Sequence, residues 1–238
     1  RMGSTRLPEK VLMDIGDKPM LEHVYERATC ASLIDRVVIA TSTESGDDEI
    51  AAFCEARGIP YVRGSETDVL DRYYQTARET GADTIVRLTA DCPLLSPAVI
   101  DRVLRVYEQS TAAYVTNIIE YTHPDGLDVE VFPFSVLETA WEEATAPDER
   151  EHVTLYIRES DETESRNVEN VIDTTKYTFT DDAETLRWTV DYREDLEFVR
   201  EVYRRLTEDS HWVFDQQSVF ELLERRPALR EINEDSHT

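Results

Sequence analysis

Apolar and polar positions along this chain switch repeatedly between two periods. Asp35-Arg36-Val37-Val38-Ile39-Ala40 has the length and apolar content of a buried strand, and a helix-period stretch from Asp47 to Arg57 follows, stopping at Gly58. The same reading predicts a strand over Ile59–Val62, a helix over Val69–Thr80 stopped at Gly81, and an apolar strand over Asp83–Leu88. A helix over Pro97–Glu108 comes next, with proline in its first turn. Up to about residue 116 this is a β-α repetition with short links, which predicts a mostly parallel sheet.

The second half reads differently. Leu127–Phe132 alternates as a strand, Phe134–Ala144 and Arg150–Arg158 have helical spacing, and Val168–Asp173 and Leu186–Val190 read as strands. Leu196–Leu206 and Gln217–Arg225 close the pattern as helices, and the polar tail after Arg226 is expected to fray. No repeat, low-complexity stretch or long linker interrupts the chain. The expected fold class is therefore α/β: one Rossmann-like, doubly wound domain over residues 1–238, with an inserted arm roughly within 118–175. Arg1-Met2-Gly3-Ser4 reads as a loop, whereas a doubly wound sheet has a strand feeding its first phosphate loop. A first strand is thus expected upstream of Arg1.

Composition narrows the partners. Of the 238 residues, 51 are acidic and 25 basic, a formal net charge of −26, which disfavours nucleic acid and anionic membrane surfaces as partners. The acids are spread through periodic segments and 40% of residues are hydrophobic, so this is a folded acidic protein rather than a disordered one. Lysine occurs only at Lys10, Lys18 and Lys176. An acid-rich, lysine-poor surface resembles those of salt-loving organisms, where ionic strength screens self-repulsion. It also draws attention to Lys10 and Lys18. No apolar run approaches the ~20 residues of a membrane span. Cys30, Cys54 and Cys92 are scattered as reduced thiols would be, and a cytoplasmic protein is expected.

The candidate chemistry begins with Arg1-Met2-Gly3-Ser4-Thr5-Arg6-Leu7-Pro8-Glu9-Lys10, a basic loop in an acidic protein. Small residues let backbone N–H groups approach a polyphosphate, and Arg1, Arg6 and Lys10 supply opposing charge. Asp91 lies just beyond the strand Asp83–Leu88 and Asp191 just beyond Leu186–Val190, where α/β sheets present functional groups. Either is also placed to be a helix cap. Asp128 and Glu130 are two apart on a strand and so share a face, as a solvated edge or as part of a pocket; Asp125-Gly126 beside them signals a turn. Arg72 sits on a helix that presents it either to a ligand or to solvent.

These segments together resemble the cytidylyltransferases for acylneuraminate and ketodeoxyoctonate, most closely the branch of the spore-coat polysaccharide biosynthesis protein F. The likeness runs in order through the opening loop, Gly64-Ser65-Glu66-Thr67-Asp68-Val69-Leu70-Asp71-Arg72-Tyr73-Tyr74 and Arg87-Leu88-Thr89-Ala90-Asp91-Cys92-Pro93-Leu94. It continues through Pro124-Asp125-Gly126-Leu127-Asp128-Val129-Glu130-Val131, Glu149-Arg150-Glu151-His152-Val153-Thr154 and Thr189-Val190-Asp191-Tyr192-Arg193-Glu194-Asp195-Leu196. The resemblance implies a nucleotide-diphospho-sugar transferase type of fold and transfer of a nucleoside monophosphate, CMP from CTP, to a sugar or sugar acid for a surface polysaccharide. It implies Mg²⁺ on Asp91 and Asp191, catalytic roles for these two aspartates with Lys10 and Arg6, and nucleotide contacts from Arg1, Met2, Gly3, Ser4, Arg6, Lys10, Arg72 and Thr89. The sugar would meet Asp125, Asp128, Glu130, Glu151 and His152, and a homodimer would form through the arm. Two departures stand out: Glu9 occupies a position where the family usually has glycine, and Leu155 follows Thr154 where the family has proline. A GT-A-like glycosyltransferase remains an alternative, although Ala90-Asp91-Cys92-Pro93 lacks its Asp-x-Asp. A catalytically silent nucleotide- or sugar-binding subunit is the other, prompted by Glu9.

Overall fold

A computed structural model describes residues 2–173, 176–177, 186–207 and 213–234 of the chain. The small hairpin β1 (Asp14–Ile15) and β2 (Lys18–Pro19) leads into α1 (Met20–Thr29), which falls in a stretch the sequence pattern leaves unassigned. Its apolar stripe of Met20, Leu21, Val24 and Ala28 is buried, as the 3.6-residue period requires. β3 (Ile39–Ser42), α2 (Asp48–Arg57) and β4 (Tyr61–Gly64) form a β-α-β unit whose strands pair in parallel. Strand β3 starts four residues later than Asp35, so only the end of the apolar run is paired.

The larger sheet has the order β5 (Thr84–Arg87), β7 (Glu130–Pro133), β6 (Tyr114–Thr116), β8 (Ser165–Asn167). β5 and β6 are joined through α4 (Pro97–Glu108), and β7 runs antiparallel between them, while β6 and β8 are parallel. Neighbouring residues of β7 point to opposite faces: Val131 packs with Val24, Val99 and Val103 from α1 and α4, whereas Phe132 packs with Leu70 and Leu137. Those last two come from α3 (Val69–Thr80) and α5 (Phe134–Glu143). The sheet is thus covered by helices on both sides, the three-layer α/β arrangement expected. Within the segment assigned to an arm, β7 and β8 pair into this sheet.

Helix ends follow local chemistry. Asp68 caps α3 by accepting the Asp71 N–H at 2.8 Å, and Gly81 ends it in a left-handed conformation. The helix expected over Arg150–Arg158 is broken into α6 (Pro147–Glu151) and α7 (Leu155–Glu159) by buried Val153 at φ 52°. Leu155 is the first residue of α7, a place where proline would fit equally well, so the second family departure changes only a helix start. Val168–Asp173 forms no strand, pairing having ended at Asn167, and Leu186–Val190 contributes a single bridge between Arg187 and Asp125.

After α8 (Arg193–Leu206) and α9 (Gln216–Arg225), the residues beyond Arg226 do not fray as far as they are described. Pro227–Ile232 forms a 3-10 turn, Leu229 packs into the core with Leu223 and Phe220, and Asn233 is buried. Among the described residues no helix is long and apolar enough to cross a membrane.

Candidate active site

The basic loop is tied down before it does any chemistry. The Met2 side chain is buried in the core, its N–H donates to Asp47 Oδ1 at 2.8 Å, and its carbonyl accepts from Ser4 and Glu9. Asp47, legible in the sequence only as a helix start, also accepts from the Thr41 hydroxyl and the Ser42 N–H. Burial works to raise its pKa, but these donors outweigh it and hold the carboxyl down to about 2. Gly3, Thr5 and Arg6 are left exposed on the loop. A side chain at Gly3 would come within 3.4 Å of Glu66 Oε1, ordinary contact rather than a clash. Arg1 lies outside the described residues.

Glu9 gives the first family departure a structural meaning. It adopts φ 63° and ψ 8°, the left-handed region that glycine enters without a Cβ penalty. The turn it makes sends Lys10 inward. Lys10 is 7% exposed, and its Nζ donates to Asp91 Oδ2 at 2.9 Å, Asp191 Oδ1 at 3.1 Å and the Val190 carbonyl at 2.7 Å. Burial lowers the lysine's pKa and raises that of Asp91, yet their attraction reverses both: Lys10 lies above its usual value and Asp91 below.

The two aspartates come from loops stitched together by backbone. The Val190 N–H donates to the Asp91 carbonyl at 2.8 Å. Neither carboxylate serves as a helix cap: Ser96 precedes α4, and at the start of α8 it is Asp195 that accepts the Asp191 and Tyr192 N–H groups. Asp191 Oδ1 also accepts from Arg6 at 2.9 Å. Arg6 remains half exposed, lies over the Tyr192 ring, and is held charged by Tyr192 and then Asp191.

A cation missed by sequence reasoning completes this group. Arg187 donates to Asp125 Oδ2 at 2.9 Å and to Asp191 Oδ2 at 3.1 Å, linking the turn before β7 to the segment that carries Asp191. Its one sequence signal was an arginine inside an apolar strand pattern, four residues before Asp191. The close approach of the two segments requires Gly126, at φ 110°: a Cβ there would meet the Thr189 nitrogen at 2.6 Å.

The remaining predicted residues separate. Asp125 stays half-buried beside Asp91 and Asp191, and Asp128 half-buried beside Asp125. Burial first, then Asp125, raises the Asp128 pKa to about 6. Half-exposed Tyr121 lies near both, and its phenol is pushed up by burial and by their charge. Glu130, by contrast, is a correction. Its side chain is 1% exposed, and its oxygens are taken by Arg87, by the Tyr114 hydroxyl at 2.6 Å and by the Thr154 hydroxyl at 2.6 Å. It cannot meet a sugar without dismantling the core around it. Arg72 is also buried, donating to the carbonyls of Ser65 and Glu66, so it shapes that loop rather than facing solvent. Thr89 stays at the centre through a 3.0 Å contact with buried Cys92, whose thiol is pushed well up by burial. Glu151 and His152 are exposed at the end of α6.

The Asp91–Asp191 pair converges on a single cationic group and offers hard oxygen donors, which suits a small divalent ion sharing its remaining positions with phosphate and water. Among the described residues no three His, Cys, Asp or Glu side chains are grouped to hold a metal. The protein would therefore supply two carboxylates and a ligand the rest, a set that fits Mg²⁺ better than a closed metal cage.

A basic loop whose lysine reaches two aspartates at the ends of sheet segments, under an α/β/α framework, defines a nucleotidyltransferase. The profile of the cytidylyltransferase family matches residues 1–224, and the chain belongs to that family. It is 34% identical over 237 residues to the uncharacterized protein MJ1063 of Methanocaldococcus jannaschii, covering 98% of this chain and 91% of that one. It is 32% identical over 215 residues to the spore coat polysaccharide biosynthesis protein SpsF of Bacillus subtilis, covering 87% and 85%. The solved structure of a cytidylyltransferase from Leptospira borgpetersenii superposes with a TM-score of 0.86 at 29% identity, covering 96% of this chain and 92% of that one.

Proposed function

We propose that this chain transfers CMP from CTP to a hydroxyl of a sugar or sugar acid, releasing pyrophosphate, as a step in making a surface glycan. The observation that carries this reading is Lys10, delivered by the basic loop onto Asp91 and Asp191 together. Attack by the sugar oxygen on the α-phosphorus forms one P–O bond and breaks the bond to the β-phosphate, so negative charge accumulates on both sides of phosphorus. Asp91 and Asp191 would hold Mg²⁺, which when bound neutralises part of that charge and acidifies an attacking hydroxyl. Lys10 and Arg6 oppose the charge of the triphosphate and of the departing pyrophosphate, and the exposed backbone at Gly3–Ser4 lies open to the phosphates. Arg187 fixes the direction of the Asp191 carboxylate, leaving its other oxygen toward Lys10 and Arg6. Asp125, Asp128 and Tyr121 line the side from which the sugar would approach. The cytosine base and the acid character of the sugar rest on the family and on the likeness to the ketodeoxyoctonate and acylneuraminate enzymes. A homodimer in the cytoplasm is part of the same reading.

Incubation of the protein with Mg²⁺, each nucleoside triphosphate and a panel of sugars and sugar acids, with pyrophosphate recorded, tests the proposal. Sugar-dependent release with CTP is the expected result. Release with CTP alone absent any sugar, or with a different triphosphate in preference, would overturn the acceptor or the base assigned.

A further inference from the structure

The catalytic aspartate Asp191 sits in a segment held at both ends by one residue from the far end of the chain. Asn233 is 7% exposed, and its Nδ2 donates to the Arg187 carbonyl at 3.0 Å and to Asp195 Oδ1 at 3.0 Å. The other Asp195 oxygen accepts the backbone N–H groups of Asp191, at 3.0 Å, and Tyr192, at 2.9 Å. Asp195 is itself fully buried. Arg187 and Asp191 bracket the turn, and both their side chains enter the charged centre with Lys10 and Asp125. The 3-10 turn Pro227–Ile232 brings Asn233 to this point and is anchored by Leu229 in the core.

We infer that Asn233 is a positioning residue for Asp191, its amide clamping residues 187–195 so that the carboxylate faces Lys10. This rests on the reading that Asp191 acts at the phosphates. The physical argument is one of satisfied geometry. A buried carboxylate such as Asp195 keeps one orientation only if both its oxygens have donors. Asn233 supplies the donor on one side, which leaves the opposite oxygen aimed at the Asp191 N–H. The same amide group holds the Arg187 carbonyl, so removing it loosens both ends of the loop that carries the two site side chains. Partners of this outer kind, when lost, commonly cost 10–100-fold in metal affinity or activity.

The test is calorimetric titration of CTP, with and without MgCl₂, into the full chain and the variants Asn233→Ala, Asn233→Asp and Asp191→Asn, each with its melting temperature. Asn233→Ala should bind CTP 10–100-fold more weakly in Mg²⁺ while its Mg²⁺-free binding is unchanged, at a temperature where it is fully folded. A merely structural role would lower the melting temperature and leave that Mg²⁺-dependent difference alone. Asn233→Asp keeps the size but sets a carboxylate against Asp195 in place of the donor, so at a temperature where it is folded its Mg²⁺-dependent binding should fall at least as far as in the alanine variant. Wild-type binding by both Asn233 variants, with loss in Asp191→Asn, overturns the inference and leaves the proposed function standing. Wild-type Mg²⁺-dependent binding by Asp191→Asn overturns the role of Asp191 itself, and the inference with it.

Discussion

Two clusters of like composition lie on this sheet and have opposite characters. In one, Lys10, Arg6 and Arg187 meet Asp91 and Asp191; in the other, Arg87 meets Glu130. Both pair carboxylates with strong cations, and both, Arg187 apart, fall within the motifs that resemble the cytidylyltransferases. The first is open: the Asp91 side chain is 30% exposed and Arg6 52%. The second is closed, with Glu130 1% exposed and two hydroxyls added to the guanidinium. Burial lowers the Arg87 pKa, but Glu130 outweighs it and holds the guanidinium charged. A carboxylate buried in the core with both oxygens hydrogen-bonded has no face open to a ligand, whereas one that is partly exposed and held by a lysine ammonium can exchange that partner for phosphate or metal. Accessibility and spare acceptor capacity, rather than charge, separate the proposed catalytic cluster from the structural one.

That comparison breaks or holds on a crossed pair of substitutions. Asp91→Asn should lower pyrophosphate release about a hundredfold or more while the melting temperature stays within a few degrees. Glu130→Gln should do the opposite. It leaves Arg87 as an uncompensated buried charge and should cost about 3–5 kcal/mol of stability, roughly 10 °C in melting temperature, with turnover per folded molecule retained. Denaturation curves and rates on the same preparations decide it. Normal stability in Glu130→Gln together with lost activity would place Glu130 at the sugar after all.

The two clusters also show what the sequence could and could not disclose. Helices α3 and α4 were legible to the residue because Asp68, Gly81 and Pro97 are local start and stop chemistry. The convergence of Lys10, Asp91 and Asp191 was reached through motif resemblance, since no local spacing relates residues so far apart. The fate of Glu130 was hidden because a strand's period tells which face a side chain takes, not whether that face is closed. Arg150 to Arg158 kept a helical period across a break that only the left-handed Val153 creates. The antiparallel insertion of β7 between two parallel strands is a pairing decision made at long range, with no local signature. Asn233 lay in a polar tail whose composition gave no hint that its amide was buried.

Asp128 stands between the two extremes, and its pH behaviour can sharpen the distinction. Burial and the Asp125 charge lift its folded pKa to about 6, from an ordinary value of 3.8. The folded state therefore holds this proton more tightly than the unfolded chain, and stability falls as pH rises from about 4 to 6, then levels. The shift corresponds to at most about 3 kcal/mol, and about 1–2 kcal/mol after allowing for its partial exposure. Denaturant titrations of wild type and Asp128→Asn at pH 4, 5, 6 and 7 should show a gap in favour of the variant that opens over this window. A constant gap would mean that Asp128 is as solvated as an ordinary surface acid.

The smallest effect concerns Glu9, where backbone and charge can be separated. At φ 63° the residue carries the usual penalty of a side chain in left-handed backbone, about 1 kcal/mol, which Glu9→Gly relieves, less a few tenths for the freedom glycine has when unfolded. Glu9→Ala keeps the backbone penalty and removes the negative charge. If the glutamate repels the triphosphate, both variants should bind CTP several-fold more tightly in dilute buffer, and the gain should shrink as salt rises. Only Glu9→Gly should also melt 1–3 °C higher. Equal melting temperatures in the two variants would show that the turn into Lys10 does not depend on the conformation this residue adopts. Unchanged affinity in both would show that Glu9, exposed as it is, leaves the phosphates undisturbed.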